Sequence, residues 1–352
     1  MAGTLSSAAS PAGPSQWIFS ASSLLKTPSN TASGITLDKE LYDRSRGVEF
    51  LFRLGSSLGL PSTAMFTAAT WFHRFFMRYS LDNYHRQDVA ASCIFLATKT
   101  EECGRKLRDV ARVCEAKIAN KEVNLIPEDG KEVETRQTSI LLVEEVLLEA
   151  ICFDFVVDSP HAELVDLFDS LEEDMVVKEY AWSIAHDSYR TPLCILQSPR
   201  IIAAACYILA QKVAEGPNSA SLDDRVSLSA GSASLPTPPS QQPAPPNSSH
   251  RTLELFALTE WDVGCVADAL EILVGFYSVQ DGHDLHPHIT ALQNVPPITT
   301  PSTTLKLYHV ASNNSTHHEQ ALPSLNGEQT PDGESIEKHE GKTALGTRLD
   351  LS

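Results

Sequence analysis

The 352-residue sequence lacks the signatures of the common enzyme chemistries. It has no glycine-rich phosphate loop, no HExxH pair and no nucleophile elbow, so nothing points to nucleotide hydrolysis, zinc-dependent proteolysis or serine-hydrolase chemistry. Its seven cysteines (93, 103, 114, 152, 194, 206 and 265) are odd in number and contain no CxxC pair. A disulfide framework and a zinc module are therefore not expected, and a reducing compartment is. Long apolar runs are missing too. The longest, Ile201 to Ala210, is about half of the ~20 residues that span a bilayer. The first residues show no charged start leading into an apolar core, so no secretory signal is expected. Positive charge is scarce: 27 Lys and Arg stand against 45 Asp and Glu, a net charge of -18 with pI near 5.0. The densest basic run, Gly104-Arg105-Lys106-Leu107-Arg108, is too short to follow a phosphate backbone, so direct nucleic-acid binding is not expected. A partner with a basic surface suits the overall charge.

What is present is helical. Met65, Ala68, Ala69, Phe72 and Phe76 share one helical face, with Trp71 and Phe75 beside it. Leu60-Pro61-Ser62-Thr63 supplies a stop and a start just before that helix. Ser159-Pro160 and Ser198-Pro199 each pair an N-cap with proline at the first helical position. Strand-like alternation is nearly absent, and the fold class expected is all-α.

An internal repeat organises the folded part. Val89–Glu102 reads VAASCIFLATKTEE and Ile202–Glu215 reads IAAACYILAQKVAE, identical at seven of fourteen positions without a gap. Small residues let neighbouring helices approach closely, so each copy suits the centre of a bundle. Two copies indicate a duplicated helical unit, since a solenoid needs at least three shorter repeats. Low-complexity stretches surround the two units. Residues 1–14 are small and polar, 215–249 are crowded with Ser and Pro, and 281–352 are polar and acidic on balance; all three are expected to be disordered. A shorter polar insert lies near 120–134. The first unit is expected over 15–157 and the second over 158–280.

Two charges sit on otherwise apolar faces. In a helix expected from about Arg136 to Cys152, the stripe Ile140, Val143, Leu147, Ile151 includes Glu144. In the first repeat helix, Lys99 follows Phe95 and Leu96 by one turn at the end of a nearly uncharged run. A lone buried charge costs several kcal/mol, roughly, and so needs a partner or a route to water. Periodicity accommodates Lys99 reaching solvent from a helix end and Glu144 at the edge of its stripe. It equally accommodates the two projecting together from adjacent helices, as fixed donor and acceptor groups for another protein.

Several motifs in order resemble the cyclin family: Trp17-Ile18-Phe19, Gly47-Val48-Glu49-Phe50-Leu51-Phe52, Phe72-His73-Arg74-Phe75-Phe76-Met77, Phe95 to Glu102, Val143-Glu144-Glu145, Phe153-Asp154-Phe155, Ala181-Trp182 and Ser198 to Ala205. The resemblance covers roughly residues 16–280 and is strongest to the transcriptional branch, cyclins T and K. It implies two tandem cyclin boxes of about five helices each. It also implies a non-catalytic, nuclear subunit that activates a cyclin-dependent kinase acting on RNA polymerase II, without cofactor or membrane and with room for a third subunit. The alternatives are a cyclin-fold general transcription factor, which would call for basic faces and a zinc ribbon, and a non-activating helical scaffold. The hydrophobic docking motif of cell-cycle cyclins and the arginine-rich segment of cyclin T are not evident.

By resemblance, Lys99 and Glu144 contact the kinase near its mobile regulatory helix, and Leu148, Phe153 and Phe155 pack on the same surface. Core packing is the competing role for those three. Thr237, Thr300 and Thr330, each followed by proline, are minimal proline-directed phosphorylation sites. The Pro-rich stretch 236–246 suits a polyproline II spacer or ligand. His283, His286 and His288 lie in the tail, where a metal site has no folded frame.

Overall fold

The computed structural model describes residues 16–216, 219–226, 255–280, 290–296, 298 and 305–308. Nine longer helices follow in order: α1 Leu37–Ser57, α2 Ser62–Phe75, α3 Arg86–Thr100, α4 Leu107–Ile118, α5 Lys131–Ala150, α6 Pro160–Ser170, α7 Met175–Ser188, α8 Pro199–Glu215 and α9 Glu260–Ser278. Short helical turns lie between them, and no strand occurs among the described residues.

The two repeat helices are central, as their small residues require. Helix α3 packs against α1, α2 and α5, and α8 packs against α6, α7 and α9. Every residue from Val89 to Thr98 is buried, and so is every residue from Ile201 to Ala210. Close packing at α1 depends on Gly47, where a Cβ would fall 2.2 Å from Cζ of Phe72. Local capping explains the helix starts. The Ser159 hydroxyl accepts from the His161 amide ahead of Pro160, and Thr259 and Asp262 cap α9 reciprocally. Helix α5 begins five residues earlier than the apolar stripe suggests, inside the polar insert, with Glu132 and Glu134 favourably placed in its first turn.

The two bundles share residues. Leu24 and Leu41, both early in the chain, are buried in the second core, while Tyr189 is buried in the first. Between them Phe66 stacks on His161 (ring centroids 4.1 Å apart) and on Tyr189 (4.9 Å), and Phe52 lies 4.3 Å from His186. The buried His73 Nε2 meets the Tyr189 carbonyl at 2.8 Å.

Two expectations of disorder need correction. Within 215–249, a helical turn at Leu222–Val226 buries Leu222, Arg225 and Val226, with Arg225 paired to Glu215. An apolar pair four residues apart is enough to dock this turn on α8. Within 281–352, Leu292, Ile298 and Leu307 are buried in the second core. Widely spaced single apolar residues produce no periodicity, so the sequence conceals them. Residues 1–14, Thr237, Thr300, Thr330, the stretch 236–246 and the three tail histidines fall outside the described residues.

Candidate functional site

Lys99 and Glu144 meet. Lys99 Nζ lies 2.7 Å from Glu144 Oε1, joining the C-terminal turn of α3 to the middle of α5. Glu144 is 7% exposed, and the Lys99 side chain is about half exposed at 48%. The ammonium sits 4.5 Å from the centre of the Phe95 ring, so its stem follows the apolar surface while its head stays wet. A buried carboxylate thus faces solvent through a half-exposed cation.

Around this pair the surface is apolar. Leu148, one turn beyond Glu144, is half-buried against the first core. Phe153 is 62% exposed, and Phe155, at 39%, stands edge-on to Trp71 with centroids 6.0 Å apart. Core packing therefore does not account for Phe153. Leu141, Leu142 and Val156 are exposed apolar residues too, and sequence reasoning missed all three. The signal was there: Ile140-Leu141-Leu142-Val143 is four apolar residues in a row, more than one buried helical stripe can absorb.

The turn that projects Phe153 is built by backbone geometry. Cys152 and Phe153 both adopt left-handed φ, 53° and 56°. The Phe153 amide donates to the Leu148 carbonyl (3.0 Å) and the Cys152 amide to that of Glu149 (3.0 Å), the paired bonds that close a helix end. The following strand-like segment is pinned from the N-terminal side. Trp17 Nε1 donates to Asp154 Oδ2 at 2.8 Å and Gln16 Nε2 to the same oxygen at 3.0 Å. Hydrogen bonding from Trp17, foremost, holds the Asp154 carboxyl below the usual carboxylate range. The Arg74 guanidinium covers the Trp17 ring at 4.7 Å and reaches the carbonyls of Asp154 and Val156. Trp17, Arg74 and Asp154 therefore position the Phe153 and Phe155 segment.

Cys93 lies in the buried face of α3, its thiol pushed well up by burial and secondarily by Glu144. All seven cysteines are free, and of these only Cys152 is exposed. Among the described residues no group of His, Cys, Asp and Glu is placed to hold a metal ion, and no helix is long and apolar enough to cross a membrane.

Residues 19–156 match the family model "Cyclin, N-terminal domain". Over these residues the chain carries a cyclin N-terminal domain. Cyclin pch1 of Schizosaccharomyces pombe is 47% identical over 195 residues, 55% of this chain and 56% of that protein. Human cyclin-K is 30% identical over 201 residues, 56% of this chain and 33% of that protein. The match thus spans about half the length of the first of these relatives and a third of the second. In fold, the chain aligns with one of the yeast RNA Pol II CTD kinase CTDK-1 complex at a TM-score of 0.58 and 18% identity, over 83% of this chain and 86% of that one. The family match lies on the first bundle, and the likeness in fold extends over both.

Proposed function

We propose that this chain is a cyclin, the regulatory, non-catalytic subunit of a nuclear cyclin-dependent kinase that phosphorylates the RNA polymerase II tail, with boxes at 15–157 and 158–280. The observation that carries this reading is the Lys99–Glu144 pair joining α3 to α5, with Leu148 one turn beyond it and Phe153 exposed at the end of α5. Protein interfaces have this composition: an apolar, aromatic centre with a few fixed polar groups that set register. The relatives named above, a yeast cyclin and cyclin-K, point to a kinase of the transcriptional class as the partner.

Activation follows by population shift. An inactive kinase samples the conformation in which its regulatory-helix Glu meets the strand Lys of the ATP site. A cyclin that binds only this conformation raises its population, by no more than its differential affinity for the two states. Lys99 and Glu144 serve the kinase backbone near the regulatory helix; Leu148, Phe153 and Phe155 supply the apolar contact. All chemistry stays in the kinase.

The test exchanges the two charges, Lys99→Glu with Glu144→Lys. The internal ion pair survives the exchange, so helicity by circular dichroism is expected to be unchanged while the partner meets reversed charges. Tagged wild-type chain is expected to recover a kinase, and the exchanged variant to recover on the order of tenfold less or worse. Recovery of no kinase by wild type contradicts the reading, and full recovery by the variant contradicts the site.

A further inference from the structure

The first box carries a positively charged recess that shares no residue with the Lys99–Glu144 surface. Helix α4 ends with Asn120 in the left-handed region, at φ 50°. The Lys121 amide then bonds back to the Ala116 carbonyl (2.9 Å) and the Asn120 amide to that of Lys117 (3.4 Å). This closure turns the chain back on itself, so Lys121 lies beside the turn that carries Lys117. Arg53, from the last turns of α1, completes the recess, which has a volume of about 410 Å³. Glu122 is the one carboxylate in its lining.

Three cations against one carboxylate make a local excess of positive charge on a chain of net charge -18. Arg46, Arg86, Arg108, Arg112 and Arg136 each face a carboxylate. Arg53, Lys117 and Lys121 make no ion pair among the described residues, yet they converge on one recess. A lysine in the last turn of a helix is accounted for by the carbonyl ends it meets. That argument covers Lys117 but not Arg53, which comes from another helix.

We propose that this recess docks a phosphorylated serine or threonine of a peptide partner. A phosphoryl group brings close to two negative charges and three acceptor oxygens. Arg53 offers a planar fork to two of those oxygens, and the lysines add mobile point charges. Leu125, 66% exposed and two residues beyond Val123 in the recess wall, gives the neighbouring peptide side chain an apolar contact. Three cations suit one phosphoryl group; a nucleic acid backbone would need a longer track, which a chain of net charge -18 does not offer. Resting on the kinase reading above, the partner is a substrate tail already phosphorylated at one site, held by the cyclin while another site enters the kinase.

The experiment uses the chain without any kinase. Fluorescence anisotropy compares a labelled peptide of two Ser-Pro dipeptides, phosphorylated on both serines, with its unphosphorylated twin. The phosphopeptide is expected to bind on the order of tenfold more tightly, with an affinity that falls as salt rises. Combining Arg53→Gln, Lys117→Gln and Lys121→Gln is expected to remove that preference without shifting the melting temperature, since none of the three side chains is buried. If the triple variant melts early, Lys121→Gln alone carries the test, with a smaller loss expected. Equal binding of the two peptides overturns the proposal, as does a preference untouched by the variants. Tighter binding of a single-stranded RNA than of the phosphopeptide overturns the choice of partner. A chain that captures a kinase but ignores the phosphate refutes this docking site alone.

Discussion

Replacing Glu40 by alanine is expected to lower folding stability by about 3–5 kcal/mol, the cost of stranding a buried charge. Glu40 and Arg44, one turn apart on α1, are 0% and 1% exposed. Glu40 Oε1 accepts from Arg44 Nε at 2.9 Å and Nη2 at 2.7 Å, and its Oε2 accepts from the Thr27 hydroxyl at 2.6 Å. Arg44 Nη1 donates to the His73 carbonyl at 3.0 Å. The pair ties the N-terminal segment to α1, and α1 to α2. Removing Glu40 leaves the guanidinium dehydrated with that one carbonyl as its main support. The double variant Glu40→Leu with Arg44→Met removes both charges and replaces them with apolar volume, so it is expected to lose at least about 2 kcal/mol less than Glu40→Ala. Urea unfolding of the two variants beside wild type decides this. Equal losses in both would show that packing, not the unpaired charge, sets the cost.

Acidification is expected to loosen the junction between the two boxes well before the carboxylates titrate. His73 is lowered to about 3 by burial and by the Arg44 charge, and His161 to about 4 by burial and by His186. His186 is lowered mainly by burial, with Asp187 raising and Arg190 lowering it. Unfolded, each imidazole titrates near the ordinary 6.5, so between that value and the folded one the unfolded chain binds the extra proton. Stability is complete above about pH 6.5 and falls as pH drops towards 4 and 3, by about 2 kcal/mol each for His73 and His161 between pH 7 and pH 5, with His186 acting in the same direction. Asp187 works in the opposite sense, because burial raises its carboxyl and the folded state keeps that proton more readily. Its contribution grows as pH falls towards the ordinary carboxylate range and so offsets part of the loss from the histidines. Urea midpoints at pH 7 and pH 5 are therefore expected to differ strongly. His161→Phe, which keeps a flat ring against Phe66, is expected to reduce the difference. An unchanged pH slope in that variant would show that His161 is not the proton acceptor.

The central helices were legible because their signal is local. The alanine-rich repeats name α3 and α8, and small residues in the middle of a bundle follow from close packing. Lys99 and Glu144 were legible as charges on apolar faces, although only the fold joins them at 2.7 Å. Glu40 and Arg44 were hidden for the opposite reason. A Glu and an Arg at i and i+4 look like an ordinary solvated pair, and only the covering by Thr27 and α2 buries them. The roles of Trp17 and Arg74 were equally out of reach, because they depend on contact with Asp154, 137 and 80 residues away. Leu292, Ile298 and Leu307 escaped because isolated apolar residues in a polar tail carry no period.

In the proposed function this chain switches a kinase on through the surface around Lys99 and Glu144. The direct measurement is the phosphorylation rate of an RNA polymerase II tail peptide by the recovered kinase, assayed alone, with wild-type chain, and with the charge-exchanged variant. Negligible activity is expected from either protein alone, with an increase of at least about a hundredfold on mixing, corresponding to ~2.7 kcal/mol of differential affinity, and little increase with the variant. A chain that binds the kinase and leaves its rate unchanged would be a scaffold, and that result would contradict the account.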